Sequence, residues 1–287
     1  MRRLLACAAS GAAAALLAAV ANQRAAQSKP PSRWLRTNYS GASVTLAEGP
    51  IAVAALLAGT AIERLLDPSG RPRMPVVVAS LGSGLVWAYD DFSGSAHAKG
   101  FRGHLRALRF GELTSGMIKV LGVGASAAVA AILVQRSRPA CPKLSCLVLN
   151  GLLDTALIAT AANLINLLDL RPGRAAKVII LLGSGLLGHG AAPAVGAAAG
   201  SLPTDLAGRS MLGDCGANAL GATVATAAAQ ALPWQLRLVA FAAVAALNLA
   251  SERVSFTAVI ERTPLLRRLD HLGRPDRVMA TSTNDQT

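Results

Sequence analysis

Apolar runs the length of a bilayer core recur along almost the whole of this chain. A membrane-crossing helix needs roughly 20 mostly apolar residues. Such runs cover about 4–21, 49–66, 74–90, 115–135, 147–167, 177–190, 191–204, 216–232 and 236–256. The sixth and seventh are short and rich in Gly and Ala, which suits a broken or re-entrant pair. The expected count is therefore about nine, within a range of about 8–11. The first run follows Met1-Arg2-Arg3 and resembles a signal peptide in length, but the number of runs behind it favours reading it as the first helix. The expected fold class is all-α: a polytopic integral membrane helix bundle. Residues 1–276 form a single transmembrane domain in this reading, and 277–287 a polar tail expected to be disordered.

Composition then decides between partners. The chain has 287 residues, 53% apolar and 15% charged, with a formal net charge of +13. Such apolar content excludes a disordered chain. Basic excess in a soluble protein would point to nucleic acid; here it reads as topology, because Lys and Arg collect on the cytoplasmic side of membranes. With nine crossings, 19 basic residues fall on the side of the C-terminus and 9 on the other. This predicts an outside N-terminus and a cytoplasmic C-terminus in a multi-pass protein of the inner or plasma membrane, with nucleic acid excluded as a partner. Trp34, Trp87, Tyr89, Phe92, Trp234 and Phe256 lie near run ends, as an interfacial belt requires. Of four cysteines, Cys141 and Cys146 can pair in an oxidising compartment or remain free thiols in a loop.

The few acids carry the chemistry. Asp90 and Asp91 end the third run, Asp169 ends the fifth, and Asp214 opens the eighth. All four land on the predicted cytoplasmic face. Adjacent carboxylates repel unless a cation intervenes, and Mg²⁺ takes one or two carboxylates together with substrate phosphates. Gly213 and Gly216 flank Asp214 and leave room for a phosphate near the backbone. Asn163 and Asn166 precede Asp169 by six and three residues, which places the three near one helix face. Lys99, Arg102, Arg106 and Arg109 interleave with Phe101, Leu105 and Leu108, a pattern for an anionic surface or a diphosphate. Asp154 is the main acid within a run, suited to a transport path or to a helix–helix hydrogen bond.

The order Asp-Asp, then Asn-x-x-Asn-x-x-Asp, then Met-x-Gly-Asp-x-Gly resembles the polyprenyl-phosphate N-acetylhexosamine-1-phosphate transferase superfamily, from about Arg36 to Gly221. RTNYSGASVTLAEGP is similar to that family's loop after the first span. The resemblance implies transfer of a sugar-1-phosphate from a UDP-sugar to a polyprenyl phosphate, with Mg²⁺, in cell-envelope polysaccharide or peptidoglycan synthesis. It implies Asp90, Asp91 and Lys99 as catalytic residues and Asn163, Asn166 and Asp169 as the nucleotide-sugar segment. Asp214 and Asp91 would hold metal, and a homodimer is open to the chain.

Three segments differ from the family pattern. Asp169 is followed by Leu170-Arg171-Pro172-Gly173 where the family continues Asp-Gly-x-Asp-Gly. Ala217 and Asn218 follow Gly216 in place of Gly-Ser. SERVSFTAVIERTPLLRRLDHLGRPDR, with His271 alone, stands where the family carries a histidine-rich loop. The alternative reading is a catalytically altered or inactive relative that binds a lipid-linked sugar or scaffolds an envelope complex.

Overall fold

The computed structural model describes residues 1–28, 31–38, 41–68, 70–71, 73–93, 115–139 and 143–275. Its fold is all-helical. The helices are α1 (Arg2–Gln27), α2 (Glu48–Leu66), α3 (Met74–Ser93), α4 (Ser115–Gln135), α5 (Leu144–Leu168), α6 (Arg174–Ser184), α7 (Ala192–Leu206), α8 (Gly213–Ala231), α9 (Trp234–Ser251), α10 (Phe256–Arg262) and α11 (Pro264–His271). Between α1 and α2, β1 (Leu35–Thr37) pairs antiparallel with β2 (Ser43–Thr45). Among the described residues α1, α2, α5 and α9 are each long and apolar enough to cross a membrane.

Most apolar runs became helices with small shifts of boundary. The sixth and seventh runs are α6 and α7, of 11 and 15 residues, joined through a 3-10 turn at Leu187–His189. The ninth run ends at Ser251, not 256, and the chain then bends into α10 and α11. The Lys99–Arg109 segment lies outside the described residues.

α8 is the hub. It packs against α2, α3 and α5, and 15 of its residues are buried. All of these are Gly, Ala, Thr, Cys, Asn or a single Leu and Val, so neighbouring backbones come close. The hydrophobic core follows from that, with Leu56 of α2, Ile165 of α5, Ile179 of α6 and Leu220 of α8 filling the gaps between small residues. α1 and α7 pack in the same way through Gly196-x-x-x-Gly200 of α7. A Cβ at Gly196 would overlap the Gly11 carbonyl, and one at Gly200 the Ala15 carbonyl. One turn further, Asn22 Nδ2 donates to Ser201 Oγ at 2.9 Å in the same buried seam.

Cross-helix contacts sort the helix termini into two ends. At one end, arginines close exposed helix carbonyls. Arg2 Nε donates to Leu66 O at 3.0 Å and Arg71 Nη1 to Gln230 O at 2.7 Å. Arg3 reaches Gly188 O, and Arg138 reaches Ala229 O. Cations near a helix C-terminus satisfy orphan carbonyls and oppose the dipole. Asp154 is wholly buried near this end between Arg138 at 2.6 Å and Arg237 at 2.5 Å. It therefore acts as an interhelical ion pair joining α5 to α9 and to the turn after α4. Glu63 and Arg73 form a second buried pair at 2.7 Å. Removing one partner of such a pair costs about 3–5 kcal/mol.

The seam between α1 and α7 yields a clear expectation. Gly200→Leu forces a side chain into the Ala15 backbone and should destabilise the protein by about 1–3 kcal/mol or more. Thermal unfolding in detergent would show a lowered midpoint relative to an exposed control such as Leu181→Ala. An unchanged midpoint would mean that α1 and α7 do not pack through these glycines.

Candidate functional site

The other end collects acids. Asp169 caps α5, Asp205 lies in the last turn of α7, Glu48 is the first residue of α2, and Asp214 lies in the first turn of α8. Gly213 takes a left-handed φ of +59° that brings the chain into α8, and its N–H donates to Asp169 Oδ2 at 2.8 Å. Two segments read as motifs from sequence, 44 residues apart, are thereby joined directly. Asp214 is about a third exposed (36%), and Lys119 Nζ of α4 stands 3.8 Å from its carboxylate.

The last turn of α3, which carries Asp90 and Asp91, reaches this same end. Gly84 of α3 lies level with Cys215 and Ala219 of α8, and Val86 contacts Gly122 of α4, so the backbone of residues 90–91 runs on past that level. The side chains of Asp90 and Asp91, and the whole of Lys99, lie outside the described residues.

A cavity of about 280 Å³ opens beside these acids. Asp169, Asp205, Ser210, Arg171 and the hairpin residues Thr37 and Asn38 line it. The hairpin is held there by backbone bonds, Met211 N–H to Thr45 O at 3.2 Å and Thr45 N–H to Arg209 O at 3.4 Å. Asp169 is 6% exposed. Burial first, and then the adjacent charge of Asp205, push its carboxyl well above the ordinary range, against the pull of the Gly213 N–H. Ser210 Oγ donates to Glu48 Oε2 just behind the lining.

Asn163 and Asn166 do not join this cavity. α5 ends at Leu168 and Asp169 turns inward, whereas Asn163 remains on the outer face, donating from Nδ2 to Asn248 Oδ1 of α9 at 2.6 Å. Helical spacing alone placed all three together; the change of direction at the cap separates them.

The sequence reading also passed over Glu48 and Asp205, which are 0% and 2% exposed. Both sit at helix ends on the acid-rich side, so the criterion that selected Asp169 and Asp214 would have found them. They were hidden because each directly adjoins an apolar run that was read as continuous.

The C-terminal helices dock on the turn after Asp169. Arg174 donates to both Asp270 oxygens, at 2.8 and 3.0 Å, and Arg274 donates to Asp270 at 2.9 Å and to Pro172 O at 3.0 Å. Lys177 Nζ adds bonds to Leu269 O and Asp270 O at 3.1 and 2.7 Å. The Leu170–Arg174 segment is thus the seat of α11. The ligand atoms of Glu261, Asp270 and His271 fall within 4.8 Å of one another, a spacing that suits a metal. Asp270 is already committed to arginines, and His271 Nε2 lies 3.1 Å from Glu261, so the cluster is satisfied by its own hydrogen bonds. Cys7 and Cys215 are not in a disulfide, Cys7 Sγ donating to Glu63 Oε1 at 3.3 Å, while Cys146 is disulfide-bonded; Cys141 lies outside the described residues.

Compared with known proteins, the chain matches no protein-family model and no curated protein sequence.

Docking of α11 should depend on pH with a defined sign. Burial alone would raise Asp270, but the hydrogen bonds and charge of Arg174, with Arg274, hold it below the ordinary carboxylate value of 3.8. A depressed carboxyl contributes stability above its unfolded value and loses it as pH falls through the folded one. Limited proteolysis should therefore leave residues 256–275 protected at neutral pH and expose them only in strong acid. Asp270→Asn should expose them at neutral pH. Equal cleavage of variant and wild type would count against the lock.

Proposed function

We propose that this chain is a membrane-embedded transferase that moves a sugar-1-phosphate from a UDP-sugar to a polyprenyl phosphate, with Mg²⁺, at the cytoplasmic face of the plasma membrane. The observation that carries the reading is the hydrogen bond from Gly213 to Asp169, which unites the Asn-x-x-Asn-x-x-Asp and Gly-Asp motifs at one end of the bundle. In this reading α1 to α9 are nine crossings and the acid-rich end is cytoplasmic. Two features support that orientation: 19 of 28 basic residues are assigned to that side, and Cys146 is disulfide-bonded near the start of α5, at the other end. Disulfides persist in oxidising compartments.

The chemistry is a single displacement. An oxygen of the lipid phosphate attacks the β-phosphorus of the UDP-sugar; the new P–O bond forms as the bond to the UMP oxygen breaks, and UMP leaves. Asp90 and Asp91, at the end of α3, would orient and activate the lipid phosphate. Lys119 and, by resemblance, Lys99 would neutralise charge on the phosphates. By resemblance, Asn163 and Asn166 would read the nucleotide, Asn163 from the outer face of α5. Asp214 fits a hard cation as a partly exposed oxygen donor, with Lys119 Nζ 3.8 Å from its carboxylate. Asp214 with Asp91 would hold Mg²⁺, which when bound supplies electrostatic stabilisation of the diphosphate. Phosphoryl transfer relies on such positioning more than on covalent help.

The test is UMP release by the purified full chain from a panel of UDP-sugars, with polyprenyl phosphate and Mg²⁺. Asp214→Asn should lower turnover about a hundredfold or more. Turnover insensitive to that substitution would sink the metal role. Thermal stabilisation by a nucleotide-sugar without any UMP release would instead favour a non-catalytic relative that binds lipid-linked sugar.

A further inference from the structure

Three carboxyl groups are buried around one cavity with no cation paired to them. Glu48, Asp169 and Asp205 are 0%, 6% and 2% exposed. No lysine or arginine among the described residues forms an ion pair with any of them. Arg171 shares the cavity lining without an ion pair to these acids, and the charges of Arg274 and Lys177 reach Asp205 while their hydrogen bonds go elsewhere, Arg274 to Pro172 O and Asp270, Lys177 to Leu269 O and Asp270 O. Asp205 is the charge that bears most strongly on both of the other acids.

The donors within reach do not satisfy the group. Asp169 accepts from the Gly213 N–H and Glu48 from Ser210 Oγ, while the Gly173 N–H beside Asp205 and the Thr204 hydroxyl beside Glu48 favour their charged forms. Asp205 Oδ2 and Glu48 Oε1 are buried with no hydrogen-bond partner. A buried acceptor left unmade carries a desolvation cost of about 1–3 kcal/mol, more when charged. Asp205 lines the cavity, and Glu48 stands one hydrogen bond behind it through Ser210.

We propose that this cavity is a divalent-cation site of the Mg²⁺ class, with Asp169 and Asp205 as the carboxylate ligands and Glu48 as a positioning residue that adds negative charge through Ser210. Mg²⁺ keeps several of its waters and typically takes one or two carboxylates. A water occupies about 30 Å³, so the roughly 280 Å³ available accommodates a partly hydrated ion. The site is separate from Asp214, which does not line the cavity and has Lys119 beside it. It stands independently of the transferase reading.

Mn²⁺ titration followed by electron paramagnetic resonance tests the proposal on the full chain in phosphatidylcholine nanodiscs. Mildly alkaline pH lets buried carboxyls ionise, and competition with Mg²⁺ checks the class. Asp205→Asn and Asp169→Asn should each weaken one Mn²⁺ equivalent about tenfold or more, with a smaller loss for Glu48→Gln. Asp214→Asn should keep that equivalent. The proposal is overturned if the wild type binds no Mn²⁺, if Asp214→Asn removes all binding, or if Asp205→Asn binds as the wild type does. Should Asp205→Asn fail to fold, Glu48→Gln leaves the lining intact and serves as the comparison, unchanged affinity then counting against the site. Turnover plays no part in the readout, so the transferase reading fails or stands separately.

Discussion

Close approach of helix backbones is the constraint on which the structure rests. In lipid, helices gain little from apolar contact alone, and packing comes from small residues that let backbones meet. α8 supplies them along nearly its full length, and the glycines of α7 do the same toward α1. Only because those contacts are tight can the first turn of α8 bring Gly213 within hydrogen-bond distance of Asp169. The geometry of the acid-rich end is thus a consequence of small side chains deeper in the bundle.

The two ends solve the problem of polar groups in opposite ways. At one, arginines answer helix carbonyls, and the buried acids Asp154 and Glu63 each have arginine partners. At the other, Glu48, Asp169 and Asp205 form no ion pair with a lysine or arginine among the described residues, Asp169 accepting from a backbone N–H and Glu48 from a hydroxyl. Unneutralised acid in a dry setting is costly for a fold and is therefore informative about what such an end is built to meet.

Much of this was readable from the chain. Runs of apolar residues anticipated the long helices, because the hydrophobic pattern is a local property. The convergence of Asp169 and Asp214 followed from alternating direction alone. Other features depend on contacts that spacing does not encode. Asn163 and Asp169 share a helical period, yet the α5 cap turns Asp169 inward and leaves Asn163 to Asn248. Glu48 was missed because it directly precedes an apolar run. Spacing left Asp154 open to a transport path or a helix–helix hydrogen bond, and the two arginines around it, one from the turn after α4 and one from α9, favour the interhelical role. The hairpin at Leu35–Thr45 is too short to leave a periodic trace.

The lock between Arg174 and Asp270 has a consequence for how the protein is made. Its two halves lie 96 residues apart in the chain. At ribosomal rates of about 5–20 residues per second, roughly 5–20 s separate the synthesis of one from the other. During that interval Arg174 has no Asp270 and the turn bearing Pro172 has no Arg274. The wall of the acid-lined cavity is therefore completed only after residues 270–274 have emerged, well after the helices around it have been made.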